Sequence, residues 1–283
     1  MADQETSAGS SVVLRFQDVS LRFDDVVALD HVSFAMEAGT TRVILGNAGS
    51  GKSTLLKAAI GLVKPDSGRI YLLGTDTTDL DEAHLFPLRS RVGVLFQEGG
   101  LFDSITVADN VAYPLVNSRV QKPDANVVEK KVTEALRFVE LEKTMEKFPA
   151  ELSGGMRRRV GIARAVVTDP PLVLYDSPTA GLDPITANTI MALIAKERDM
   201  ANTANVIVTH RYQDGQLMAN FRYTPDGGPL NLAHISKNGA QNGNARKTTF
   251  MVMREGKVVF EGDQAELEAS QDAYVQKFVP KNP

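Results

Sequence analysis

The chain has 283 residues, 43% of them hydrophobic and 23% charged, enough for one sizeable core with an inserted subdomain. Its net charge of -4 gives no basic stripe for wrapping nucleic acid, so no nucleic-acid partner is expected. With no cysteine and no tryptophan, disulfides, thiolate metal sites and cysteine nucleophiles are excluded.

Residues 1–11 are polar and small, without the basic-then-apolar order of a signal peptide, and are expected to be a flexible N-terminus. No apolar run approaches the roughly 20 residues that span a bilayer, so any membrane role must come through a partner. Val12 to Phe16, Leu21 to Phe23 and Val32 to Ala35 alternate in polarity and predict a small antiparallel β region. Four near-continuous aliphatic runs follow, Arg42 to Leu45, Val92 to Phe96, Leu172 to Tyr175 and Asn205 to Thr209, as buried parallel strands should read. They end on Gly46, Gln97, Asp176 and His210. Ligands of open α/β sheets sit at the carboxyl ends of the strands, so four such ends predict a site.

A helix-rich stretch from about Thr106 to Val167, with helices at Val128 to Leu141 and Met156 to Val167, interrupts the core as an inserted subdomain of about 99–168. Residues 223–248, rich in Asn, Gly and Pro, predict a mobile surface loop. A hairpin is expected at Thr249 to Glu261, turning at Arg254, Glu255 and Gly256. The main domain thus runs 12–268, with a C-terminal tail at 269–283.

Gly46-Asn47-Ala48-Gly49-Ser50-Gly51-Lys52-Ser53 fits GxxxxGK[ST] between a predicted strand and the apolar Leu55, Leu56, Ala59 helix pattern, the context that motif requires, and these residues with Thr54 are the candidate nucleotide-binding set. Glycines let backbone N–H groups close on phosphate oxygens, Lys52 supplies charge to the β/γ phosphates, and Ser53 offers a hydroxyl to Mg2+. Leu172 to Asp176 is an apolar strand ending in a carboxylate that can hold Mg2+ through water. Leu152-Ser153-Gly154-Gly155-Met156 precedes a helix with the apolar stripe Met156, Val160, Ala163, Val167. Ser153 is placed there as N-cap, and such a helix start attracts phosphate.

P-loop, Gln97, LSGGM, apolar strand with Asp176, then His210 is an order that resembles the ABC ATPase family over about Val12 to Phe278. That resemblance implies an α/β fold with a P-loop (RecA-like) parallel sheet core, an N-terminal antiparallel β region and an inserted α-helical subdomain. It implies Phe23 as the aromatic on adenine, Gln97 as the Q-loop residue and a Mg2+ contact, Ala180-Gly181-Leu182-Asp183 as the D-loop, and His210 as the switch at the γ-phosphate. It further implies ATP and Mg2+ as ligands, and head-to-tail pairing with a second ATPase subunit in a homodimer or heterodimer. Each ATP would then lie between one P-loop and the opposing Ser153, Gly154 and Gly155. Two-domain and coiled-coil soluble members of the family do not fit this length and pattern.

Ser177 follows Asp176 where the family has a glutamate that polarises the attacking water. A hydroxyl is a poor general base near neutral pH. Slow hydrolysis by positioning alone, a charge supplied by Glu98, pairing with a different ATPase whose site this LSGGM completes, and a laboratory substitution are all open. A nucleotide-gated clamp with little turnover is the alternative to a motor.

Leu101 to Leu115, LFDSITVADNVAYPL, resembles the ATPase subunits of Mce-associated, Mla-type lipid transporters, as do Asp183 to Thr186 and Val275 to Phe278. That likeness implies phospholipid cargo, a membrane permease, an Mce-domain partner and a place on the cytoplasmic face of the inner membrane. Another small-molecule cargo is the alternative.

Overall fold

The computed structural model describes residues 12–120, 122–224, 232–234 and 247–280, the side chain of Glu98 excepted. The first half holds β1 (Val12–Phe23), β2 (Val26–Glu37), β3 (Thr41–Leu45), α1 (Lys52–Ala59), β4 (Ser67–Leu72), β5 (Thr75–Asp76), α2 (Glu82–Arg89), β6 (Val92–Leu95), α3 (Val107–Val116) and α4 (Ala125–Phe138). The second holds α5 (Gly154–Val166), β7 (Leu172–Asp176), α6 (Pro184–Ala201), β8 (Ala204–Thr209), α7 (Tyr212–Asn220), β9 (Phe221–Tyr223), β10 (Leu232–His234), β11 (Thr248–Arg254), β12 (Lys257–Gly262) and α8 (Gln264–Ala269).

A six-stranded sheet in the order β12-β11-β3-β8-β7-β6 forms the centre. Its five inner pairings to β6 begin at an antiparallel edge, β12 on β11, and are otherwise parallel. All four aliphatic runs lie in it. β3 and β8 are buried at every residue, as strands covered on both faces must be. The expected hairpin is β11 and β12, and β11 also adds a fifth parallel strand beside β3.

A second sheet, β2-β1-β4-β5, covers one face. The three short N-terminal segments expected from polarity are instead two strands of twelve residues each, β1 and β2. Asp24 and Asp25 form the turn between them, whereas the polar residues near Asp18 and His31 are irregularities in the pairing. Asp18 and His31 sit at positive φ (53° and 52°), where the register shifts. Ser33 and Ser20 hydroxyls accept the Asp18 and His31 amides at 2.8 and 3.0 Å, so the bulged backbone keeps its hydrogen bonds. The core between the two sheets holds stacked Phe16 and Phe34, with Leu14, Ile44 and Leu55.

On the other face α3, α4, α5 and α6 pack on β6, β7 and β8 around Val111, Leu136, Ile162 and Ile194. Helices α4 and α5 start two to three residues before their expected positions; Ser153 caps α5 with its side chain, and no side chain caps α4. A third cluster joins β3 and β11 to α7, α8 and Val275, which is fully buried in the C-terminal segment. The expected loop at 223–248 lies mostly outside the described residues, as do residues 1–11. Its described part, β10, pairs antiparallel with β9. Among the described residues no helix is long and apolar enough to cross a membrane.

Arg198 of α6 is fully buried. It grips Asp199 through two nitrogens (2.8 and 2.9 Å) and donates to the Met218 and Phe221 carbonyls (2.6 and 2.8 Å), while Asp199 also accepts the Tyr223 amide (2.8 Å). Arg198→Ala should therefore cost about 3–5 kcal/mol, the usual consequence of stripping one partner from a buried ion pair. Urea unfolding of the two proteins checks this as a lowered midpoint at constant slope.

Candidate functional site: a phosphate loop at the carboxyl edge of the sheet

Strand register gathers the predicted residues. Leu45 pairs with Thr209, Val208 with Asp176, and Tyr175 with Leu95. Gly46, His210, Asp176, Ser177 and Gln97 therefore leave the sheet side by side at one edge.

The P-loop is held by backbone closeness that only glycine permits. A Cβ on Gly46 would stand 2.6 Å from the Met253 carbonyl oxygen, and one on Gly51 2.3 Å from that of Ala28. Gly51 also has φ 101°, and Gly49 φ 76°, in the region that favours glycine. The Gly256 amide of the β11–β12 turn donates to the Ser50 carbonyl at 3.2 Å, fastening the loop from outside. Helix α1 starts at Lys52 with no side chain capping its first turn. The amides of Lys52, Ser53 and Thr54 thus form an uncapped, electropositive helix start, ready for an anion.

The Lys52 ammonium donates to the Gly46 and Asn47 carbonyls (2.8 and 2.7 Å) and to Ser50 Oγ (3.1 Å). Burial pushes its pKa below the ordinary lysine value, and the Asp176 charge partly offsets that. A phosphate supplies further counter-charge to this desolvated cation. Ser53 is exposed at the first turn of α1, and Asp176 is half-buried across from Lys52. Hydroxyl, carboxylate and the exposed Gln97 amide are a hard oxygen set that suits Mg2+.

Ser177 takes φ 51°, its hydroxyl donates to Asp176 Oδ1 at 3.2 Å, and its amide donates to the Val208 carbonyl at 2.9 Å. Phe23 is 48% exposed at the tip of the β1–β2 hairpin. It is not a core residue, and β2 reaches the P-loop at Ala28. The Glu98 side chain lies outside the described residues.

Ser153 is exposed, and its Oγ accepts the Met156 amide at 3.3 Å as the N-cap of α5. A hydroxyl that accepts here still has its own proton to donate. Gly155 meets α6 so closely that a Cβ would lie 2.5 Å from the Thr186 side chain. Asp183 is engaged within the chain, capping α6 by accepting the Ile185 and Thr186 amides at 3.1 and 3.0 Å; the Thr186 side chain first, and then these amides, hold its carboxyl below the usual range. Gly154 lines a cleft with Gln97, Asp103 and Gly181. The P-loop residues 47–50 line a different one, with Arg254, Tyr274 and Lys277. The structure thus unites strand ends and P-loop, but puts the LSGGM motif beside the D-loop.

Tyr274 belongs to none of the sequence motifs. Its hydroxyl donates to the Met253 carbonyl (3.1 Å) and accepts the Asn47 amide (3.3 Å), tying the C-terminal segment to the P-loop. Only an aromatic among apolar neighbours marked it in sequence.

A model of the ABC transporter family matches residues 29–180, more than half of the chain. The chain belongs to the ABC transporter family. It resembles methionine import ATP-binding protein MetN of Bifidobacterium longum, at 40% identity over 192 residues covering 68% of this chain and 47% of that protein. MetN of Rhizobium meliloti is 40% identical over 215 residues, 74% of this chain and 59% of that protein. The chain spans about half the length of these curated relatives.

Among solved structures, a dimeric post-hydrolysis state of the ATP-binding cassette MJ0796 bound to ADP and Pi superposes with TM-score 0.72 at 28% identity, covering 88% of this chain and 98% of that one. The cbiO1 structure from Clostridium perfringens, part of the ABC transporter complex cbiONQ, gives 0.74 at 27% identity, with 92% of each chain covered. The fold and the family's nucleotide, ATP with Mg2+, thus agree with the motifs. The MetN relatives do not support the phospholipid cargo or the Mce-domain partner expected from Leu101 to Leu115.

Two variants probe the loop. Gly51→Ala should strain it by roughly 1–3 kcal/mol and abolish ATP binding. Lys52→Ala should leave the ligand-free melting temperature at or above that of the parent, since it removes a desolvated cation, while abolishing the rise on adding MgATP. Thermal melts with and without nucleotide read both.

Proposed function

We propose that the chain is the nucleotide-binding subunit of an ABC transporter, binding MgATP between two copies and driving a membrane permease by hydrolysis. The observation that carries this reading is the meeting of the P-loop, Asp176, Gln97 and His210 at one sheet edge, with an exposed Ser153 helix start elsewhere on the chain. A second subunit brings its own Ser153, Gly154 and Gly155 to the γ-phosphate, and its D-loop beside them. The dimeric MJ0796 cassette supports a dimer, and head-to-tail pairing is the arrangement that would bring Ser153 of one copy to the P-loop of the other. In functional terms 12–268 is the ATPase domain and about 99–168 its helical subdomain.

In this scheme Phe23 stacks on adenine, and Lys52 with the amides of Gly49 to Thr54 neutralises the phosphates. Ser53, Gln97 and, through water, Asp176 would hold Mg2+, which would supply positive charge against the phosphates. His210 donates to the γ-phosphate. Asp176, with its hydroxyl neighbour Ser177, orients water at the position from which attack occurs. Without a glutamate, turnover rests on positioning and electrostatics and is slow. Little or no hydrolysis would make the subunit an ATP-gated clamp, and the Ser177 hydroxyl is what favours that second reading.

The permease reading is supported by an apolar groove beside the Q-loop, lined by Val94, Phe96, Phe102, Tyr113 and Pro114 and flanked by Arg164. Phe102 and Tyr113 are both exposed, and their tilted rings pack with centroids 4.6 Å apart. A short permease helix seated there would place the subunit on the cytoplasmic face of the membrane. For cargo, the MetN relatives support import of methionine or a similar small solute. The segment Leu101 to Leu115, which supplies Phe102 and Tyr113, supports phospholipid. Whichever cargo stimulates phosphate release by the reconstituted permease complex separates the two.

Ser177→Glu should raise turnover by about 10²- to 10⁴-fold, the usual worth of a general base. The backbone allows it, since Glu140 and Glu255 occupy similar positive φ values in this fold (59° and 51°). Steady-state phosphate release by the parent, Ser177→Glu and Lys52→Ala is the measurement. Phosphate from the parent at the Lys52→Ala background, despite ATP-driven dimerisation, sinks the motor reading in favour of the clamp.

A further inference from the structure

Two turns leave the sheet next to each other: 176–183, carrying Asp176, Ser177 and the D-loop, and 209–212, carrying His210. A single carboxylate oxygen joins them. Thr179 Oγ1 donates to Asp214 Oδ2 at 2.6 Å, and Thr209 Oγ1 donates to the same oxygen at 2.7 Å. All three side chains are buried. The Arg211 amide donates to Thr209 Oγ1 at 3.1 Å, and its guanidinium lies 3.7 Å from Asp214 Oδ1. Asp214 itself sits in the first turn of α7, where the helix dipole favours a negative charge.

The first turn is gripped from its other side as well. Arg158 of α5, also buried, donates to the Ser177 carbonyl at 2.7 Å and the Ala180 carbonyl at 3.1 Å. Residues 177–180 are thus clamped between the helix that begins at Ser153 and the turn that carries His210.

We propose that Asp214 is a positioning residue that couples the His210 turn to residues 177–182, so that a γ-phosphate sensed at His210 resets the D-loop. The proposal rests on the reading above, that MgATP binds the P-loop edge. Its physical basis is that a dry carboxylate resists losing either donor. Moving one turn without the other would leave a buried charge or a buried hydroxyl without its bond. The two turns therefore shift together.

Amide hydrogen exchange of the full chain, with and without MgATP, tests this. In the parent, MgATP should slow exchange in 46–54, 208–214 and 178–184. In Thr179→Val, which keeps the side chain's shape, and in Asp214→Leu, the response at 46–54 should persist while that at 178–184 is largely lost. Asp214→Asn should restore it, because the amide oxygen can still accept both hydroxyls. A purely structural role would slow or quicken exchange in both conditions alike and leave the ATP-dependent difference intact. Thr179→Val keeps the test available if Asp214→Leu fails to fold. A parental response at 178–184 in Thr179→Val overturns the proposal, as does a parent that responds at 46–54 but not at 178–184. Loss of the response in Asp214→Asn overturns the hydrogen-bonded oxygen as the link. No response at 46–54 in the parent overturns the ATP-binding reading itself, and with it this one.

Discussion

The site depends first on the parallel register of β3, β8, β7 and β6. Parallel pairing is what makes every strand end face the same way. An antiparallel neighbour would have carried His210 or Asp176 to the opposite edge. Burial on both faces enforces the register, since β3 and β8 offer no polar face to slip toward. The chemistry at the edge is thus positioned by hydrophobic packing several residues away from it.

The second requirement is close backbone approach around the P-loop. Ala28 of β2, Met253 at the end of β11 and Gly256 in the following turn press on the loop from separate directions. Gly46 and Gly51 let them come near enough. The loop is pre-shaped by these contacts, and Lys52 lies across its carbonyls, so little ordering is left for a phosphate to impose.

The central strands, the P-loop, Asp176 and His210 were readable in the sequence because each lies in a short run whose hydrophobic pattern and polar terminus coincide. The Ser153 cap was readable for the same reason. The full length of β1 and β2 is not legible in the sequence. A bulge stabilised by Ser33 and Ser20 looks in sequence like a polar turn, and nothing local says that the strand resumes. Exposure of Phe23 depends on the hairpin tip standing clear of the core, which is a tertiary fact. The Asp214 bridge and the Tyr274 contact link residues 35 and 227 positions apart, and no single-sequence spacing announces such pairs. Cargo is the least readable of all, because in the proposed complex the ATPase would meet a permease and never the solute.

The placement of β3 also governs when the protein becomes competent. Its sheet neighbours are β8 and β11, whose pairings join residue 41 to residues 205 and 248. During synthesis the P-loop is made before either sheet neighbour of β3, so β3 keeps an unpaired edge until β11 is made. Pairings of such long sequence separation form slowly. A nascent chain thus carries its phosphate-binding motif, until β8 and β11 have been made, without the sheet that shapes it, and nucleotide capture must wait for both.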